Sequence, residues 1–306
     1  MGKKRVNIEK RWGKEFEDKR DWREYNERLV RRGELYLSLE FLEKWDSELG
    51  KMNRKKRGRP FMYPGLFIMW MALVHVIFFL PYRQMEGFLR ALSQYVPVAP
   101  ADYTTLFRRI SMVELDLDCN LDGDIVVALD STGVKVTNRG DWRRKIWGGR
   151  KGWVKAHICV DVETKQILGL EVTDEQVSDA RCFNKLMDQA NEKANVKRVM
   201  ADGAYDRKRI FNYLYHSDME SAIKLRRDAT PYKHGSKYRS QCVRERDQLG
   251  WEKWKETKGY GKRWSAEAVF SAVKRMMGET VKATDIQGII REVKMKFKLY
   301  NLLLNH

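Results

Sequence analysis

The chain lacks the features that mark several large protein classes. Its four cysteines, Cys119, Cys159, Cys182 and Cys242, lie far apart, with no Cys-x-x-Cys pair and no neighbouring histidine. This excludes a disulfide framework and a zinc site, and leaves reduced thiols in a cytosolic setting. Long apolar runs are scarce too. The one candidate, residues 66–80, falls short of the roughly 20 residues a bilayer span needs. It contains His75 and is closed by Pro81, so it reads as a buried core helix opened by Pro64. The basic start Met1-Gly2-Lys3-Lys4-Arg5 is followed by charged residues with no apolar stretch, so neither a secretory signal nor a membrane partner is expected. Negative charge is the remaining shortage: Asp+Glu number 42 against 60 Lys+Arg, a formal net charge of +18. Such an excess implies attraction to a polyanion, most simply nucleic acid.

What is present suggests about two domains in 306 residues. Up to residue 49 the chain is charged with interspersed aromatics, as in Trp22-Arg23-Glu24-Tyr25-Asn26, which fits solvent-facing helices with one apolar stripe. Residues 51–60 form a basic linker containing Arg57-Gly58-Arg59-Pro60. That tetrapeptide fits a plain linker or a minor-groove hook, in which Arg57 and Arg59 enter the negative potential of a narrow A·T-rich groove. A second helical pattern, 82–96, carries Met85, Phe88, Leu89 and Leu92 on one face. A third starts at Asp102, a good N-cap, and includes Thr104, Thr105, Arg108 and Arg109. Three short helices ending in a basic one match a helix-turn-helix module, with Arg108 on its reading helix, or equally a small helical unit that binds nothing.

From Gly123 the pattern turns to strands. Residues 125–129 are a continuous apolar run, 154–162 and 167–172 read as a hairpin, 196–201 as a second buried strand and 221–225 as a fifth, with helices at 179–194 and 207–215. The expected class is α/β, a mixed five-stranded sheet flanked by helices and preceded by an all-α N-terminal region. Boundaries fall at 1–60 for the charged helical segment and linker, 61–120 for the helical DNA-binding region and 121–306 for the catalytic domain, with a basic insertion at about 226–262.

Three acidic residues stand out in this basic chain. Asp130 and Asp202 each follow a buried apolar run, and Glu267 lies in an amphipathic segment. A carboxylate at the end of a buried strand is rigidly held yet reaches the sheet edge, where it can ligate Mg²⁺. Two aspartates and one glutamate suffice for two ions. Tyr260, Arg263, Glu267 and Lys274 follow at increments of 3, 4 and 7, which on a helical wheel places all four in one quadrant beside an apolar stripe of Ala266, Val269, Phe270, Val273 and Met277, with Gly259 and Gly261 leaving open whether Tyr260 is itself helical; the bland alternative makes Glu267 half of a surface i,i+4 pair with Arg263. The segment 139–155 carries Arg143, Arg144 and further cations with Trp142, Trp147 and Trp153 between them, suited to backbone phosphates and unpaired bases, or to a solvated hairpin. Trp251, Trp254 and Trp264 invite the same reading. His157, in an alternating strand, reads as a packed core histidine.

These residues resemble the DDE transposases of prokaryotic insertion sequences, whose catalytic domain is similar to ribonuclease H. Asp130-Ser131-Thr132-Gly133 resembles the first acidic motif, Asp202-Gly203-Ala204-Tyr205-Asp206 the second, and Tyr260-x2-Arg263-x3-Glu267-x6-Lys274 matches the Y-R-E-K signature at every spacing. The second motif carries Gly203-Ala204 where many relatives have a Lys-Gly pair. The resemblance implies a ribonuclease-H-like fold and catalytic Asp130, Asp202 and Glu267 holding two Mg²⁺ ions, with Mn²⁺ a substitute. It implies a phosphate-positioning role for Arg263 and Lys274, and support of the scissile strand by Tyr260. It also implies cleavage at terminal inverted repeats and joining of 3′-hydroxyl ends to target DNA. The implied partners are double-stranded DNA, as transposon ends and target, and a second copy of the chain in a synaptic homodimer; the implied setting is the cytoplasm, at the nucleoid. Two rivals share the sequence features: a nuclease or resolvase of the same fold, and a catalytically inactive DNA-binding regulator.

Overall fold

The computed structural model describes residues 8–11, 14–17, 21–113, 116–117, 119, 121, 123–137, 152–232 and 234–305, the first two segments by backbone alone. The chain divides into two compact units, Met1–Phe67 and Ile68–Asn305.

In the first unit an antiparallel ribbon of β1 (Ile8–Arg11) and β2 (Lys14–Glu17) precedes the helices. Helix α1 (Trp22–Tyr36) is capped by Asp21, whose carboxylate accepts the Arg23 and Glu24 N–H groups at 2.9 and 3.2 Å. It buries none of its own residues. The unit is held by aromatic packing: Phe41, Trp45, Tyr63 and Phe67 pair at ring-centroid distances of 5.3 to 6.3 Å. The basic linker is shorter than expected, because α2 (Trp45–Asn53) extends into it and Asn53 then clasps the Phe61 backbone through both side-chain atoms, at 2.9 and 2.7 Å.

The apolar run expected to be a core helix is α3 (Gly65–Ile77), with Ile68, Met71, Ala72 and Val74 almost fully buried. No helix among the described residues is long and apolar enough to cross a membrane. Helices α4 (Tyr82–Leu92) and α5 (Tyr103–Ser111) follow, the latter capped by Asp102, which accepts the Thr104 and Thr105 N–H groups, both at 2.9 Å.

The second unit is built on one mixed sheet in the order β5-β4-β3-β6-β7. Strands β3 (Asp124–Val136), β4 (Gly152–Asp161) and β5 (Ile167–Asp174) form an antiparallel meander, while β6 (Asn195–Ala201) and β7 (Glu220–Ile223) run parallel to β3. A short β8 (Thr280–Val281) adds a sixth strand beside the far end of β3. Because side chains alternate along a strand, Ile125, Val127 and Leu129 face one side. There they pack with residues of α6 (Asp179–Asn191), α7 (Lys208–His216) and α8 (Lys237–Leu249). On the strands' other contacts, α10 (Trp264–Met277) lies against β3 and β4, and α11 (Ile286–Leu304) against β5 and β8. Gly169 lets β5 meet α6 closely: a Cβ there would stand 2.7 Å from the Leu186 carbonyl oxygen.

Two local expectations change. Strand β3 continues well past the apolar run, since β4 offers it partners as far as Val136. The segment 226–262, which shows little periodicity, is largely helical: α8 is followed by α9 (Trp251–Thr257) and a 3₁₀ turn, Tyr260–Arg263. Its pattern is faint because α8 buries only Ser240, Cys242 and Val243.

Candidate active site

The last β3–β6 pair is Leu129 with Ala201. The next residues on these two parallel strands are Asp130 and Asp202, so the register sets the two carboxylates side by side where β6 ends. Asp130 is not at the end of its own strand. β4 continues the ladder beyond it, pairing Asp130 with Ile158, so the first aspartate is held by sheet on one side and open on the other. Asp130 Oδ1 accepts the Ser131 N–H at 2.8 Å, and Oδ2 accepts from Arg263 Nη1 at 2.8 Å. Burial pushes its carboxyl above the ordinary range; the Ser131 N–H and Arg263 pull it back, and the Asp202 charge pushes it up further. Asp202 accepts the Ala204 N–H at 2.8 Å and thereby caps the 3₁₀ turn Gly203–Tyr205, so the departure at Gly203-Ala204 still builds a defined turn.

Glu267 stands in the first turn of α10. Arg263, the residue capping that helix, donates to both Asp130 and Glu267 and so links the third carboxylate to the first. Tyr260, whose helicity the flanking glycines leave open in the sequence, lies outside the helix. Gly259 is left-handed at φ 61°, the chain turns as a 3₁₀ segment from Tyr260, and α10 begins only at Trp264. The Tyr260 ring packs on Trp251 and Trp254 at 5.7 and 5.6 Å. Its hydroxyl is pushed up to about 12, by burial first, with Arg263 opposing and the charges of Asp202 and Asp130 adding. Lys274 is half-buried farther along α10.

Tyr205 is a further residue at this site whose place the sequence pattern did not single out. It is buried in the turn after Asp202, and its hydroxyl has no hydrogen-bond partner among the described residues. Burial, with the charges of Asp179, Asp130 and Asp202, raises it well above the ordinary tyrosine range. Only its position in the second motif hinted at this.

Other expected residues lie elsewhere. Arg57 and Arg59 are exposed in the first unit, and Arg108 is exposed on α5. Arg143, Arg144, Trp142 and Trp147 lie outside the described residues. Lys155, counted among the cations of that basic segment, is tied down by Asp179 at 3.2 Å and the Val177 carbonyl at 3.1 Å. His157 is fully buried and contacts Thr173 Oγ1 at 2.9 Å, as a packed histidine should. Trp254 is 2% exposed and stacked on Trp251, which removes it from any base-stacking surface; Trp264 is 55% exposed with Lys165 over its ring at 4.9 Å.

The donor chemistry suits a hard divalent cation. Asp130, Asp202 and Glu267 offer only carboxylate oxygens, and the mutual repulsion of the two aspartates is what a cation would offset. Among the described residues, however, no three acidic, histidine or cysteine side chains gather as ligands of one ion. The structure thus sets Asp130 beside Asp202 and ties Glu267 to Asp130 through Arg263, without gathering the three carboxylates as ligands of one ion.

The first strand lies in the middle of the sheet, with the second and third antiparallel on one side and the fourth and fifth parallel on the other. That is the ribonuclease-H-like arrangement, in which Asp202 follows the carboxyl end of β6 and Asp130 lies beside it within β3. A family model described as a transposase DDE domain matches residues 122–302, and a second of the same description matches residues 30–139. The chain belongs to the DDE transposase family and is a DNA transposase, an enzyme that cuts and joins DNA. Among solved structures, the chain resembles the catalytic core domain of BIV integrase at 13% identity and a TM-score of 0.27, over 56% of this chain and 83% of that one. It resembles the piggyBac transposase in a synaptic complex with hairpin DNA at 11% identity and a TM-score of 0.42, over 89% and 73%. It resembles the Drosophila P element transposase in a strand transfer complex at 12% identity and a TM-score of 0.37, over 86% and 69%.

Proposed function

We propose that this transposase cuts DNA at the terminal inverted repeats of a prokaryotic insertion sequence and joins the freed 3′-hydroxyl ends to target DNA by two-metal phosphoryl transfer. The observation that carries the reading is the placement of Asp130 beside Asp202 at one sheet edge, with Arg263 linking Asp130 to Glu267. Asp130, Asp202 and Glu267 would hold Mg²⁺, for which Mn²⁺ could substitute. When bound, the ions supply Lewis-acid stabilisation of charge on the attacking and leaving oxygens. Glu267 is free to take part: its side chain is 57% exposed, and its tie to Arg263 is an i,i+4 pair of the kind worth about 0.3–0.5 kcal/mol. Arg263 and Lys274 then bring positive charge to the scissile phosphate, and the Tyr260 hydroxyl, anchored by its packed ring, supports the strand.

In this reading the region 61–120 binds the transposon ends with Arg108 on α5, Arg57 and Arg59 reach a minor groove, and Arg143, Arg144 and Trp147 hold distorted DNA beside the catalytic domain of 121–306. Two copies of the chain bring the two ends together as a homodimer, acting on DNA in the cytoplasm at the nucleoid.

A strand-transfer assay with pre-cut 3′-hydroxyl ends tests this. The wild type should join them to target DNA with Mg²⁺, and Asp202→Asn and Glu267→Gln should each lose on the order of 10³-fold in rate while still binding DNA. A wild type that cleaves but never joins is instead a nuclease or resolvase. One that binds DNA with no metal-dependent cleavage is a regulator.

A further inference from the structure

A charged cleft of about 660 Å³ is lined by none of the three carboxylates. It is lined by the start of α6, the loop after β6 with the start of α7, and the loop after β7, with Arg239 of α8. Because β5, β6 and β7 all run in the direction of β3, these segments leave the sheet at the edge where Asp130 and Asp202 stand.

The floor of the cleft is internally neutralised. Arg239 grips the buried Asp206 with two hydrogen bonds, Nε to Oδ1 at 2.6 Å and Nη2 to Oδ2 at 2.9 Å. Asp206 Oδ2 also accepts the Arg226 N–H at 2.9 Å, and Arg246 holds the carbonyls of Arg226 and Ala229 at 3.0 and 3.3 Å. Arg209 spends one guanidinium nitrogen on the Ala180 carbonyl at 2.6 Å. The walls are not neutralised. Arg181, Arg207, Lys208 and Arg226 are all exposed and have no ion pair among the described residues, with Asp228 the one other carboxylate in the lining. A cleft walled by one sign of charge on a rigid floor focuses potential and draws in anions. Guanidinium forks from separate segments of the lining pair bidentately with phosphate or carboxylate oxygens; in a chain of net charge +18 that belongs to a DNA transposase family, the polyanion to continue through an open cleft is a nucleic-acid strand.

We infer that this cleft binds the backbone phosphates of a DNA strand next to those at the carboxylates, holding it along the edge formed by the ends of β5, β6 and β7. The inference rests on the transposase reading for its choice of polyanion. Its contacts carry no sequence information and act as a clamp that sets the strand's path.

The test is the salt dependence of duplex binding by the full chain. The double variant Arg181→Gln/Arg226→Gln alters two exposed side chains and keeps the Arg226 backbone contact to Asp206. Its slope of log K against log salt should fall in magnitude by about 2, with equal weakening on unrelated sequences. Lys197→Gln, on an exposed cation near the amino end of β6, should leave the slope as in the wild type. An unchanged slope in the double variant, or an equal loss in Lys197→Gln, overturns the inference. Titration with inorganic phosphate separates the sources: binding that the double variant abolishes, with its DNA slope unchanged, makes this a small-anion pocket and also overturns it. Wild-type chain that binds DNA with a steep slope yet joins no ends sinks the transposition reading alone.

Discussion

Asp130 combines constraints that a lone acidic side chain rarely meets. It is part-buried between a ladder partner and an open edge, faces Asp202, and is offset by Arg263. Its proton is held more tightly in the folded chain than in the unfolded one. As pH rises from the ordinary aspartate value through the raised folded value, this group therefore subtracts stability, and below that window it subtracts none. Urea midpoints measured across mildly acidic pH should show that decline in the wild type and a flatter profile in Asp130→Asn. Metal-dependent joining should also have its acid limb above the ordinary aspartate value, because proton and cation compete for the same oxygens. An NMR titration of the Asp130 carboxyl that stayed at or below about 3.9 would remove the basis for both.

Tryptophans in helices and turns divide by what covers them. Trp251, Trp254 and Trp264 share a basic, polar stretch and look alike in the sequence, yet α9 turns Trp254 inward against Trp251 and Tyr260 while Trp264 stays at the surface. Trp254→Ala should cost about 3–5 kcal/mol by chemical denaturation, as truncation of a buried aromatic does. Trp264→Ala should cost under about 1 kcal/mol, its contact with Lys165 being a surface cation–π pair. If the two costs came out equal, the packing of this segment would be other than described. The same segment shows why helices with little apolar content escape a periodicity reading: α8 satisfies its backbone internally and needs only a narrow stripe against the sheet.

Joining that helical segment to the sheet is an ion network that links Lys258 with α8, β6 and β7. Lys258 pairs with Glu220 of β7 at 2.9 Å and Glu245 of α8 at 2.7 Å, and Arg198 of β6 reaches Glu220 at 2.6 Å. Burial raises the Glu220 carboxyl, but the hydrogen bonds from Lys258 and Arg198 outweigh it and leave the group below its ordinary value. Its contribution is thus present above the unfolded glutamate pKa and is lost as pH falls through the lower folded one. Lys258→Met should destabilise the protein by about 1–2 kcal/mol at neutral pH, with the difference from wild type shrinking in acid. A constant difference across that range would mean the loss came from packing. Much of this unit was legible beforehand: the apolar runs of β3 and β6, the hairpin of β4 and β5 and the Asp102 cap need only local patterns, since strand and helix periods are written in neighbouring residues.

Composition and motif spacing alone established a basic DNA enzyme with two aspartates after buried runs and a glutamate on a helix. Tertiary structure decided that Asp130 sits within a strand rather than at its end, that Arg263 lies between two of the carboxylates, and that four cations from three segments far apart in the chain share a cleft. Each of these depends on which strand pairs with which and where the pairing stops. That register is set by packing between segments far apart in the chain, so it leaves no trace in any local pattern.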